Sequence, residues 1–235
     1  MKTMKSFLIF FCLPFLSFYT AQSQIIVPGS EELLDKLRLN NSINSIEGKM
    51  YSDITGDPYL YKDFQQGKMV LKSGETYQLG LKFDIYANQM HMKYKDQVYA
   101  IIHPEKIASL VVGPEEFVYC DYIKSANEKS AETGAYFIQK IDGKCKLLVK
   151  KNVRIQEAEP PKILQEAKPA KFIRTNDSFY LKLENKPAVK INSKSDVLST
   201  LNAHKDKMNE FLNSNKLGTK KLEDLIKIVS LYNSL

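Results

Sequence analysis

The chain of 235 residues has three histidines, His91, His103 and His204, scattered along its length. That leaves little material for a histidine-based triad or a histidine zinc site. H-E-x-x-H, G-x-S-x-G and C-x-x-C patterns are missing, and so is a phosphate-binding loop. Zinc peptidase, serine hydrolase, thiol–disulfide and nucleotide chemistry therefore have no signature here, and no cofactor is implied. A glycosidase needs only two carboxylates, and these are plentiful. Asp84, Glu115, Glu116 and Asp121 fall near strand ends, where solvated turns account for them. The expectation is a non-enzyme. After the first stretch, no apolar run reaches the roughly twenty residues of a spanning helix, so no transmembrane span is expected in the mature chain.

The first stretch follows the order of a secretory signal peptide: basic Lys2 and Lys5, an apolar core over residues 7–18, then Ala21 and Ser23. Small residues three before and one before the cut place cleavage after Ser23, leaving Gln24 first. An uncleaved anchor would need a longer apolar core. Cys12 follows Phe10 and Phe11, not the small residues of a lipoprotein signal. The protein is expected to be exported: periplasmic, associated with the outer membrane, or secreted.

About 212 of the 235 residues remain, enough for one sizeable core or two modest ones. The net charge of +7 falls to about +5 without Lys2 and Lys5, and the charges are mixed along the chain. A solvated basic surface follows, with an anionic surface or a glycan as an envelope partner. Nucleic acid is not expected, for want of any recognition motif. The mature chain keeps Cys120 and Cys145. A strand falling between them would hold the two nearly 10 Å apart, too far for a bridge. Two free cysteines are expected.

The fold class read from periodicity is α+β and mainly β: an antiparallel meander, as a curved sheet or small barrel, then a small unit of strands and helices. Tyr77, Leu79, Leu81, Phe83 and Ile85 alternate with polar positions, the mark of a half-buried strand. Residues 68–72 precede it across a turn. Further strands are predicted at 90–94, 97–102, 106–112, 116–122, 135–141 and 145–155, the last two joined at Asp142-Gly143. Residues 124–134 have no large apolar side chain and read as an exposed hairpin tip. Gly80, on the polar face of its strand, reads as an ordinary twist point, with a bulge or a close backbone approach as the alternatives. Five segments follow: a signal peptide (1–23), a leader with a short helix at 31–39 (24–66), the β domain (67–156), an extended proline-containing connector (157–171), and a C-terminal unit (172–235). That unit is predicted as strands at 172–174, 179–183 and 188–191, with turns at Asn176-Asp177 and at 185–187. Helices follow near 195–201, 204–213 and 219–233, with Thr219 as a cap.

Three segments stand out: the run GDPYLYKDFQQGKMVLKSGETYQLGLKFDIYANQMHMKYKDQVYAI over residues 56–101, EAEPPK at 157–162 and the ending KLGTKKLEDLIKIVSLYNSL at 216–235. Together they resemble a widespread family of exported Bacteroidota proteins with no assigned function. The resemblance implies an envelope protein and carries over no catalytic residue.

Two clusters invite a chemical reading. Met90-His91-Met92 offers soft ligands suited to copper(I). On a strand, however, the methionines share one face and the histidine takes the other, so core methionines beside a surface histidine are expected. Tyr59, Tyr61, Tyr77 and Tyr86, among the aromatics of the first half, form a candidate binding face, since aromatics supply contact area. They equally well fill a curved sheet. The functional expectation is an exported, non-enzymatic envelope protein that binds another protein or surface. A small-ligand or glycan carrier is second and an envelope hydrolase third. N-terminal sequencing of the exported protein is expected to read from Gln24; a chain retaining Met1 in the membrane fraction would contradict the signal-peptide reading.

Overall fold

The alternation that marks residues 77–85 becomes strand β3 (Thr76–Asp84), whose Tyr77, Leu79, Leu81 and Phe83 share a buried face. A computed structural model describes residues 43–45, 51–94, 97–124, 130–161 and 166–235. The signal peptide, the cleavage pair Ser23 and Gln24, and the helix expected at 31–39 lie outside the described residues, as do residues 125–129 of the expected 124–134 tip.

The other strands are β1 (Ile43–Ser45), β2 (Gln65–Leu71), β4 (Gln89–Tyr94), β5 (Gln97–Ile101), β6 (Ile107–Val112), β7 (Glu115–Ile123), β8 (Glu132–Ile141), β9 (Cys145–Gln156), β10 (Lys171–Leu183) and β11 (Ala188–Lys190). They form one sheet in the order β1-β5-β4-β3-β2-β6-β7-β11-β10-β9-β8. Strand β8 also bonds to β7, so the last five strands close a ring. The closing pair is parallel: Ala188 and Val189 of β11 lie beside Tyr122 and Ile123 of β7. The protein is thus mainly β, with a small closed barrel extended on one side by β1–β6.

Strand β8 explains why the sheet curls. Ala135, Tyr136, Phe137 and Ile138 are consecutive and all buried, the pattern of a strand covered on both faces. Ala135 and Phe137 face the barrel interior with Tyr122, Leu148, Tyr180 and Ala188. Tyr136 and Ile138 face a second core built from Leu81, Phe83, Met90, Met92, Leu110 and Phe117. Phe83 meets Phe117 and Tyr136 there, at 4.9 and 5.8 Å between ring centroids. At Gly134 a Cβ would stand 2.4 Å from the Tyr119 ring, so the missing side chain lets that ring lie across the strand.

A third core joins Leu147 of β9 and Leu181 of β10 to three helices, α1 (Lys194–Thr200), α2 (Lys205–Ser214) and α3 (Leu222–Ser234). Each is too short to be stable alone, and each turns its apolar side chains to this core. The far end of α3 docks through Asn233. Its Oδ1 accepts from the Cys145 amide at 2.8 Å, and its Nδ2 donates to the Cys145 carbonyl at 2.9 Å. The Asp142-Gly143 turn has to be glycine for this. Gly143 sits at φ 142°, and a Cβ there would lie 2.6 Å from Asn233.

Four expectations need correction. The turn at Asn176-Asp177 is a bulge inside one long strand, because β10 pairs with β9 on both sides of it. Strand β10 therefore belongs to the main sheet, not to a small sheet of its own. The connector is not extended: Glu159 and Lys168 exchange backbone hydrogen bonds of 2.9 and 3.0 Å, folding it back on itself. Thr219 does not cap α3, whose N-cap position is Lys221. Gly80 lies in regular pairing with Gln66 and Lys93, which leaves the ordinary strand position and not the bulge.

Removing the Phe137 ring is expected to cost about 3–5 kcal/mol and Ile138→Ala about 2–5 kcal/mol. Both should shift a single urea transition. A split transition for either variant, with one core lost before the other, would contradict the shared-strand account.

Candidate functional site

A ligand carried inside the barrel would need space, and the interior is filled. Tyr122, Phe137 and Tyr180 stand edge to face, with centroids 4.9 to 5.8 Å apart, and Leu148 and Ala188 close the layer. The expected aromatic binding face is not assembled either. Tyr77 is core, and Tyr61 packs against the same core. Tyr59 lies on the other side of the sheet, with the Lys82 ammonium 3.9 Å from its ring centroid. Tyr86 is exposed, edge-on to Tyr51 and Phe172.

The open space lies at one mouth of the barrel. There a crevice of about 580 Å³ is lined by Asn176, Asp177, Ser178 and Phe179 of β10, Lys190 and the adjoining Ile191 and Asn192, and Thr219 and Lys220 before α3. The bulge makes its first wall. Between Thr175 and Ser178 the register with β9 shifts, which turns polar side chains outward. Asn152 of β9 fixes that excursion: its Nδ2 donates to the Asn176 carbonyl at 2.7 Å and to Ser178 Oγ at 3.0 Å.

Carboxylates near two helix starts hold the other walls. Asp196 Oδ2 accepts from the amides of Asn192 and Ser193, both at 2.9 Å, while Ser193 Oγ accepts from the Asp196 amide at 3.2 Å. This reciprocal cap starts α1 and sets the position of Asn192. Asp224, in the first turn of α3, accepts from the Gly218 amide at 2.9 Å and so orders the chain that carries Thr219 and Lys220.

The charge of the mouth is positive. Asp177, the one carboxylate in the lining, is paired with Lys151 at 2.7 Å. Lys150 stands opposite Ser178 across the β9–β10 pair, and Lys190 stands opposite Tyr180. Lys150 Nζ lies 4.8 Å from the Tyr122 ring centroid, over the plug of the barrel. Burial lowers the Lys150 pKa from its ordinary value, the nearby Lys124 and Lys190 charges lower it further, and Glu132 pulls the other way. Lys124 is held by Glu132 at 2.7 Å, but among the described residues no carboxylate pairs with Lys150, Lys190 or Lys220. A smaller crevice of about 190 Å³ lies between Leu183, Pro187 and the end of α1. It falls below the range of about 300–1,000 Å³ usual for small-molecule sites.

The Met90-His91-Met92 run is built into the wall of the main core. Both methionines are fully buried, as expected. His91 is not the surface histidine expected, being only 2% exposed. The segment 51–60 crosses its face of the sheet and covers it. Tyr59 lies edge-on to the His91 ring at 5.8 Å, and Gln89 Oε1 stands 3.2 Å from Nε2. Beside it, buried Asp84 accepts from the Tyr51 hydroxyl and the Ala87 amide, both at 2.9 Å. Among the described residues no group of three or more His, Cys, Asp or Glu gathers as metal ligands do. Cys120 and Cys145 are free thiols on strands separated by β8, and burial pushes their pKa values up to about 11 and about 12. His103 and Glu105 form an exposed pair at 2.8 Å.

Sequence reasoning missed the crevice. Its one local signal is Asn176-Asp177-Ser178, a polar interruption between apolar runs, and this reads equally as a turn. No family model matches the chain, and no curated protein or solved structure is significantly similar to it. No helix among the described residues is long and apolar enough to cross a membrane.

Burial lowers the His91 pKa below 6.5, outweighing the opposing pull of Asp84, and Lys82 lowers it further. The unfolded chain therefore takes up this proton first as pH falls. Stability should drop as pH falls through about 6.5, and the loss should level off below the folded-state pKa. His91→Gln should remove that part of the slope in urea midpoints measured against pH; an unchanged slope would contradict the assignment.

Proposed function

We propose that the protein is an exported, non-enzymatic component of the cell envelope that binds a polar molecule or a surface glycan in the crevice at the barrel mouth. The observation that carries the reading is that crevice of about 580 Å³, lined by amide, hydroxyl and ammonium groups beside a barrel interior filled with rings. Its volume lies in the range of small-molecule sites. The signal-peptide pattern and the resemblance to exported Bacteroidota proteins support the location.

Binding without catalysis fits the carboxylates. Asp84, the carboxylate buried among the described residues, is engaged by Tyr51 and Ala87, and Asp177 is engaged by Lys151. No pair of free carboxylates faces across the crevice to act as acid and base. A protein partner held by the helical end has less behind it. The apolar side chains of α1, α2 and α3 are taken up by their own core, leaving Ile226 and Leu235 as the exposed large apolar residues of that end.

Saturation-transfer NMR of the mature chain with a mixed set of neutral and acidic mono- and disaccharides tests the reading. At least one sugar should give transfer, and Thr219→Trp, which fills the crevice, should abolish it. No transfer from any sugar, or transfer undiminished in the filled variant, would overturn the crevice as a glycan site.

A further inference from the structure

Three features of the mouth bear on what the crevice would take. Its hydrogen-bonding side chains are amides and hydroxyls, which both donate and accept, as the hydroxyls of a sugar ring require. Lys190 lies in the lining, and Lys150 stands at its edge, opposite the lining residue Ser178, where the Lys190 charge reaches it. Neither forms a direct ion pair with a carboxylate among the described residues, although Glu132, itself paired with Lys124, acts on Lys150 from nearby. Two like charges held together and half-buried oppose folding, and a bound anion removes that cost. The space is far larger than a lone inorganic anion fills.

The geometry points to a sugar unit bearing one anionic group as the ligand, its charge placed between Lys150 and Lys190 and its hydroxyls met by Asn176, Ser178, Asn192 and Thr219. This rests on the crevice being a binding site for a polar molecule and adds the charge of that molecule. Lysine is a compact, mobile charge with no preset fork, so a carboxylate and a phosphate on the sugar are both served. The class is an acidic sugar, either a uronate or a sugar phosphate.

Calorimetric titration of the mature chain separates the alternatives, using a uronate disaccharide, its neutral counterpart, glucose 1-phosphate and inorganic phosphate. The acidic sugars, or one of them, should bind at least tenfold more tightly than the neutral disaccharide, and the advantage should shrink as salt is raised. Preference for one acidic sugar over the other identifies the anionic group. Lys150→Gln combined with Lys190→Gln should remove the tenfold advantage. Because the substitutions relieve a repulsion, the urea midpoint should stay level or rise, which separates lost binding from lost folding. Lys220→Gln should weaken binding by less than the pair. Equal binding of neutral and acidic sugars would overturn the charge assignment and leave the crevice reading standing. Inorganic phosphate binding as tightly as the sugar phosphate would overturn the sugar. No binding by any of the four, in a chain that also shows no saturation transfer from sugars, would overturn both.

Discussion

The structure depends on one strand that has to be covered twice. Ala135, Tyr136, Phe137 and Ile138 carry no charge, and a strand sends successive side chains to opposite faces. Burying each large one is worth roughly 1.5–3 kcal/mol, so neither face can be left in water. The chain satisfies both faces with different material. Strands β2 to β6 curl back over Tyr136 and Ile138. Strands β10 and β11 come round to cover Phe137, and the parallel contact of β11 with β7 completes the ring. Fold and closure follow from the same four residues.

That closure decides where a ligand can go. The barrel is narrow enough for three rings and an aliphatic layer to fill it, so the interior is a core. What remains open is a rim, and the rim is polar because strands end there. Lys150 and Lys190 continue the inward-facing positions of β9 and β11 by one step beyond the plug. They face the barrel axis but stand where water and a ligand reach. The bulge in β10 and the carboxylates Asp196 and Asp224 then hold the walls of the crevice around those charges.

The second buried polar cluster has a different role. Asp84 and His91 lie under the segment 51–60, where Asp84 accepts from the Tyr51 hydroxyl and the His91 ring meets that of Tyr59. The segment is tied on both sides: the Leu60 amide donates to the Phe83 carbonyl at 2.9 Å, and the Thr55 amide to the Ala170 carbonyl at 2.9 Å. It fastens the outer sheet to the start of β10. The density of tyrosine in this half of the sequence belongs to that fastening and to the core.

The local signals were legible along the chain. Alternation at residues 77–85, the Asp142-Gly143 turn and the helical spacing of Leu222, Leu225, Val229 and Tyr232 reflect chemistry between near neighbours, and periodicity reports it directly. The site was not legible, because its parts come from residues 176–179, 190–192 and 219–220, brought together only by the tertiary fold. Asn176-Asp177 carries turn chemistry, and whether it turns or bulges depends on a partner strand some twenty residues earlier. Likewise, His91 occupies a polar alternate position, and it is buried only because a segment from residues 51–60 crosses over it. The sequence by itself determined the helices, most of the strands and the apolar face of the half-buried ones. The tertiary structure alone decided which polar faces are covered and which lysines gather at the crevice, since burial and charge pairing depend on residues far apart in the chain.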